Sequence, residues 1–240
     1  MLYLPYLTSA TALVLSIFVF LRYRHKGGMH LLLWGFGMFL YFISTFCEIV
    51  LSYRFSEVAI KIWYLAGAML VAAWLGQGTI HLLVRKGKVA MTMTYILIAV
   101  SLLAFTLVML APLTSAQFGY DVTHPASEQY KDVMTRNGFI IALTILLNLY
   151  GTVTLVGGAL YSAWLFWRKQ VLANRMFGSI LIAIGGLSPA MGGSFLKAGL
   201  FDFLYLSELA GILIMFGGFL LATAGKDKKV EAPVPAVSAG

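Results

Sequence analysis

The chain has 240 residues, 60% of them hydrophobic and 11% charged, with a net charge of +8 and a mean hydropathy of +0.89. Soluble domains average about 25% charged residues, so this composition excludes a water-soluble globule and points to the bilayer as solvent. The positive charge does not imply nucleic acid, because it is distributed between apolar runs and follows the membrane.

The first run begins without a basic leader segment, and Arg22, Tyr23, Arg24, His25 and Lys26 follow it where a cleavage site of small residues would stand. No signal peptide is therefore expected, and the run stays as a helix. Six more runs follow, each long enough to cross about 30 Å of hydrocarbon. The expected spans are residues 3–22, 29–52, 58–84, 89–111, 138–167, 176–197 and 203–224. Twelve of the 17 basic residues fall on one side: Arg22, Arg24 and Lys26; Arg85, Lys86 and Lys88; Arg168, Lys169 and Arg175; Lys226, Lys228 and Lys229. Arg54, Lys61, Lys131, Arg136 and Lys197 fall on the other. The positive-inside rule then gives an all-α bundle of seven spans with the N-terminus outside and the C-terminus cytoplasmic.

The single cysteine, Cys47, lies inside span two, which rules out an internal disulfide or a cysteine-based zinc cage and reads as a small buried residue. The longest connector, residues 112–137, faces outward. Its Thr123, His124, Pro125, Ala126, Ser127, Glu128 read as a helix start, with proline and acid in the first turn. Residues 1–225 form one transmembrane domain, and the tail 226–240, rich in Pro, Ala and Val, is expected to be disordered. Tyr64, Leu65 and Gly76 in span three recur as Tyr205, Leu206 and Gly217 in span seven, all at the offset of 141 residues. A 3+1+3 parallel repeat would produce that offset, and so would convergent apolar composition. The arrangement resembles SWEET and PQ-loop transporters, although their proline-glutamine pair is missing.

Ionisable groups inside spans cost about 2.5–3.5 kcal/mol each on insertion scales, so each is a candidate functional residue. Glu48 and Glu208 both lie about 6–8 Å below the outer boundary on ideal helices. Lys61, Lys197 and Asp202 lie near the same level, where the lysines either join the glutamates in an outward-facing ligand pocket or snorkel to fix helix packing. Trp74, deeper than the interfacial tryptophans Trp34, Trp63, Trp164 and Trp167, is a pocket wall or plain core. His30 and His81, with Gln77, lie toward the cytoplasmic end. Two histidines on neighbouring helices suit haem or a metal, yet an interfacial role serves equally and no cofactor is expected.

His30 and Glu48 stand about 27 Å apart along one helix, beyond any acid-base cooperation. No histidine-carboxylate set shares a level as a membrane hydrolase requires, so the chain reads as a non-enzyme. Span seven contains no lysine for a retinal Schiff base. Asn148, Thr152 and Thr154 in span five, with Ser188 and Pro189 in span six, are expected to serve packing. Gly186, Ala190 and Ser194 form a small-residue stripe for a close helix approach.

The run Trp63, Tyr64, Leu65, Ala66, Gly67, Ala68, continuing to Ala72, Ala73, Trp74, Leu75, Gly76, Gln77, Gly78, resembles a recurrent family of uncharacterised bacterial seven-span inner-membrane proteins. The likeness covers about a quarter of the chain and implies no activity. A looser likeness links it to the seven-span sensory regions of bacterial histidine kinases, which implies that any signal leaves through a membrane-protein partner. The leading expectation is a sensor or accessory subunit that sits in the lipid bilayer of the plasma membrane and binds a small or amphipathic ligand from outside. The alternatives are a small-solute or ion transporter and a haem- or metal-binding redox subunit.

Overall fold

The computed structural model describes residues 3–84, 88–169, 173–197 and 201–224. It is all-helical, with 88% of the chain in helix and no strand among the described residues. Helices α1 (Leu4–Lys26), α2 (Met29–Leu51), α3 (Glu57–Leu83) and α4 (Val89–Leu110) come first. The short α5 (Ala126–Val133) lies in the long connector. After it come α6, built from Gly138–Thr152, Val153–Gly157 and Gly158–Lys169, then α7 (Ala173–Lys197) and α8 (Phe201–Ala224). Among the described residues, six helices are long and apolar enough to cross a membrane; in α7 the apolar stretch found is the shorter Met176–Gly186. The chain is thus a multi-pass membrane protein. The tail 226–240 and the loop residues Arg85 and Lys86 lie outside the described residues.

The helix ends follow from local chemistry. Gly27 and Gly28 take φ of 65° and 102°, a region that glycine enters without strain, and so turn α1 back into α2. The Ser56 hydroxyl accepts the Ala59 N–H at 3.3 Å at the start of α3, and Asn137 Oδ1 accepts the Ile140 N–H at 2.9 Å at the start of α6, which satisfies donors that no helical carbonyl reaches. Arg24, His25 and Lys26 close α1, where cations meet the negative end of the helix dipole.

Helix α3 is the hub. Its apolar window is 67% buried, against 22% for α4, so α4 lies on the rim and faces lipid along most of its length. Around α3 the contacts run from α2 to α1, from α1 to α8, from α8 to α7 and from α7 back to α6. At the crossing of α3 with α6, a Cβ on Gly151 would run into the Ala72 carbonyl carbon, and one on Gly76 would come within 3.0 Å of the Gly151 oxygen. Only glycine permits this approach.

In α7, Gly186 of the small-residue stripe faces α6, where a Cβ would meet the Leu155 side chain at 3.2 Å, while its neighbour Gly185 makes the close contact with α8, where a Cβ would lie 2.6 Å from the Gly211 oxygen. The side chains of Ala190 and Ser194 lie outside the described residues.

Two of the long helices each contain a π-helical turn, Tyr64–Leu70 in α3 and Val153–Gly157 in α6. Such turns carry one extra residue and change the angular register of everything beyond them. Asn148 donates to the Ala68 carbonyl oxygen at 2.6 Å and so ties the first of them to the neighbouring helix.

Candidate functional site

The connector between α4 and α6 is folded over one end of the bundle. Thr114 donates its backbone N–H to Val133 O at 2.9 Å, and Thr135 donates to Pro112 O at 3.0 Å. Gln129 accepts the Asp121 N–H at 2.8 Å and donates back to the Asp121 oxygen at 2.8 Å. Asp121 accepts from the Thr123 hydroxyl at 2.6 Å, from the Thr123 N–H at 2.8 Å and pairs with His124 at 2.9 Å. These bonds, led by that of the Thr123 hydroxyl, hold the Asp121 carboxyl down to about 2. On its inner side α5 buries Ala126 and Val133 against Cys47, Leu51 and Ile60. Tyr130 meets Trp63 and Tyr64 with ring centres 5.5 and 5.4 Å apart.

Beneath α5 lies a cavity of about 390 Å³, at the small end of the roughly 300–1,000 Å³ usual for ligand pockets. Glu48 of α2 and Glu208 of α8 line it, with Tyr41, Trp63, Tyr130 and Ser127 among the other wall residues. Both π-helical turns reach its wall, through Gly67 and Ala68 and through Leu155. Glu48 is buried and accepts a hydrogen bond from the Tyr205 hydroxyl at 3.2 Å. The Glu208 backbone oxygen accepts from the Tyr41 hydroxyl at 3.5 Å. Burial, followed by the nearby Glu48, pushes up the Tyr120 hydroxyl of the connector, which forms the lid of the cavity. The Ser127 hydroxyl is buried and has no hydrogen-bond partner.

The two glutamates therefore share one chamber, as their common depth suggests, and neither Lys61 nor Trp74 is among its described lining residues. Lys61 is buried and pairs with Glu57 at 2.6 Å, and its ammonium also donates to Met109 O at 2.9 Å. Glu57 stands four residues earlier on the same helix, a spacing at which opposite charges meet, so this partner was readable from the sequence. Trp74 is core, not pocket wall: its ring meets Phe36 edge-on at 4.8 Å and its indole donates to Ser101 at 3.2 Å. The side chains of Lys197 and Asp202 lie outside the described residues. Ser188 donates to Ser207 O at 2.7 Å, which sets the level of α7 against α8. Nine residues farther along α7, Lys197 sits about 13 Å beyond the level of Glu208.

At the opposite end of the bundle, His81 shares a hydrogen bond of 2.7 Å with Thr94, and His30 lies edge-on to Trp34 at 5.6 Å. Among the described residues no three histidine, cysteine or carboxylate side chains gather as a metal site would need. Gln77, one turn before His81, donates to Ala90 O and Thr94 Oγ1, both at 2.8 Å, and accepts from Tyr150, so it ties three helices together. Sequence reasoning missed Tyr41, Tyr130, Ser127 and Tyr205. The helix start at Pro125 was the one available sign that residue 127 belongs to an ordered lid. No family model, curated protein or solved structure matches the chain.

Proposed function

We propose that this protein is a seven-span membrane protein with its N-terminus outside and its C-terminus in the cytoplasm, and that it binds a small ligand from the outer side without transforming it. It acts as a receptor-like sensor or as an accessory subunit, and a partner in the bacterial inner membrane carries the output. The resemblance to bacterial seven-span proteins supports that setting. The distribution of lysine and arginine supports the orientation, which puts α5 and the cavity beneath it outside.

One observation carries the binding reading: a chamber of about 390 Å³ holds two carboxylates and a buried hydroxyl with no partner. Intramembrane acids are costly, and the chamber leaves the Ser127 hydroxyl short of a partner that a bound molecule would supply. Thermal unfolding of the purified chain with a metabolite panel tests it. A binder raises the midpoint of the wild type, because ligand that binds the folded state alone stabilises it. Glu48→Gln with Glu208→Gln together abolish the rise. If no compound shifts the wild type, the reading fails.

Transport through the same chamber is the second reading. It is favoured by the two π-helical turns in the cavity wall, since such turns mark places where a helix can change register. Proton-driven flux in proteoliposomes separates the two, because a sensor carries no net substrate. The 3+1+3 repeat gives transport less support: Leu65 is buried while its counterpart Leu206 is 49% exposed.

A further inference from the structure

The chamber's wall is chemically one-sided. Two carboxylates line it, and no lysine, arginine or histidine is among its described lining residues. Of the basic groups nearby, Lys61 pairs with Glu57, while Arg136 and Lys131 lie against the ring of Tyr130, at 4.8 and 6.0 Å from its centre, with the Arg136 Nε buried and without a hydrogen-bond partner. Three aromatic side chains, Tyr41, Trp63 and Tyr130, share the wall with the acids. Deeper in, the wall becomes apolar, with Met38, Leu75, Leu155, Ile212 and Met215.

Each class of ligand meets this wall differently. An anion is repelled by both carboxylates. A neutral solute supplies no counter-charge and leaves the acids to be neutralised by protonation alone in a medium of low dielectric. A bare metal ion asks for several oxygen or nitrogen ligands at one point, and no group of three side-chain ligands is present among the described residues. A cation with an organic body satisfies the acids, the ring faces and the apolar floor together. Cations are attracted to the faces of tryptophan and tyrosine, and quaternary ammonium groups are the recurrent guests of aromatic cages. The unpartnered hydroxyl of Ser127 adds a polar contact at the lid.

We infer that the ligand is a small organic cation, with its ammonium group held at Glu48 and Glu208 among the aromatic rings and its apolar body directed toward Met38, Leu155 and Met215. This rests on the binding reading above and narrows it to one chemical class.

The test is a binding titration of the full chain in lipid nanodiscs with three probes of one size: phenyltrimethylammonium, its uncharged carbon isostere tert-butylbenzene, and benzoate. The wild type is expected to bind the cation at least about tenfold more tightly than the isostere and to show no binding of benzoate. Glu48→Gln and Glu208→Gln should each weaken the cation by about tenfold and leave the isostere unchanged. Glutamine is nearly isosteric with glutamate, and in Glu48→Gln the amide oxygen can still accept from Tyr205.

The wild-type preference alone decides the matter should a variant fail to fold. If the isostere or benzoate binds as well as the cation and Ser127→Trp blocks it, the cation inference is overturned while the binding chamber stands. If no probe of any charge binds, both are overturned.

Discussion

Gln77 is completely buried where three helices meet, and both amide hydrogens and the amide oxygen are used. Replacing it with leucine leaves the Tyr150 hydroxyl without its acceptor. Hydrogen bonds between helices in membranes are worth about 0.6–1.7 kcal/mol. Gln77→Leu should therefore destabilise the fold, and the loss should shrink by about 1 kcal/mol in a Tyr150→Phe background, where no hydroxyl is stranded. Reversible unfolding of the four proteins in mixed micelles measures this coupling, and simple additivity would count against the network. The same scale shows what a sequence reveals of a membrane residue. Depth comes from counting residues along a helix, so the shared level of Glu48 and Glu208 was legible. Which way a residue points around its helix was not, because lipid-facing and packed faces are equally apolar. Trp74 and Lys61 were left between pocket and packing for that reason.

At the scale of elements, the long helices among the described residues begin and end within a few residues of the expected spans, though six and not seven of them are long and apolar enough to cross a membrane, and the connector helix starts where proline and acid placed it. The π-helical turns left no sequence signal, since an insertion in a run that is apolar all round disturbs no visible period. They shift the register of α3 between Trp63 and Trp74, so counting around an ideal helix fails there. In the connector, Asp121 titrates at about 2, below its ordinary value of 3.8. A depressed folded value means that its contribution to the order of the lid is full above about 4 and disappears as pH falls toward 2. Carbon NMR of the Asp121 carboxyl should give a midpoint near 2. Thr123→Ala should raise it, because the threonine hydroxyl makes the leading hydrogen bond. A wild-type midpoint at the ordinary value would show that the turn does not hold in solution.

For the whole molecule, the fold explains why the acids are where they are. Helices α2 and α8 face each other across the chamber, α3 and α6 form its back, and α5 closes the end nearest the common level of Glu48 and Glu208. Leaving room there gives up packing that the bundle achieves elsewhere, as at Gly151 against Ala72. The function assigned to it requires that this end face the medium outside the cell. Labelling of His124→Cys in intact cells with a membrane-impermeant maleimide tests that most directly. His124 is 48% exposed in the connector, while the native Cys47 is buried and gives a quiet background. Labelling without permeabilisation is expected; labelling only after the membrane is opened would turn the chamber toward the cytoplasm and overturn its role as an outward-facing site.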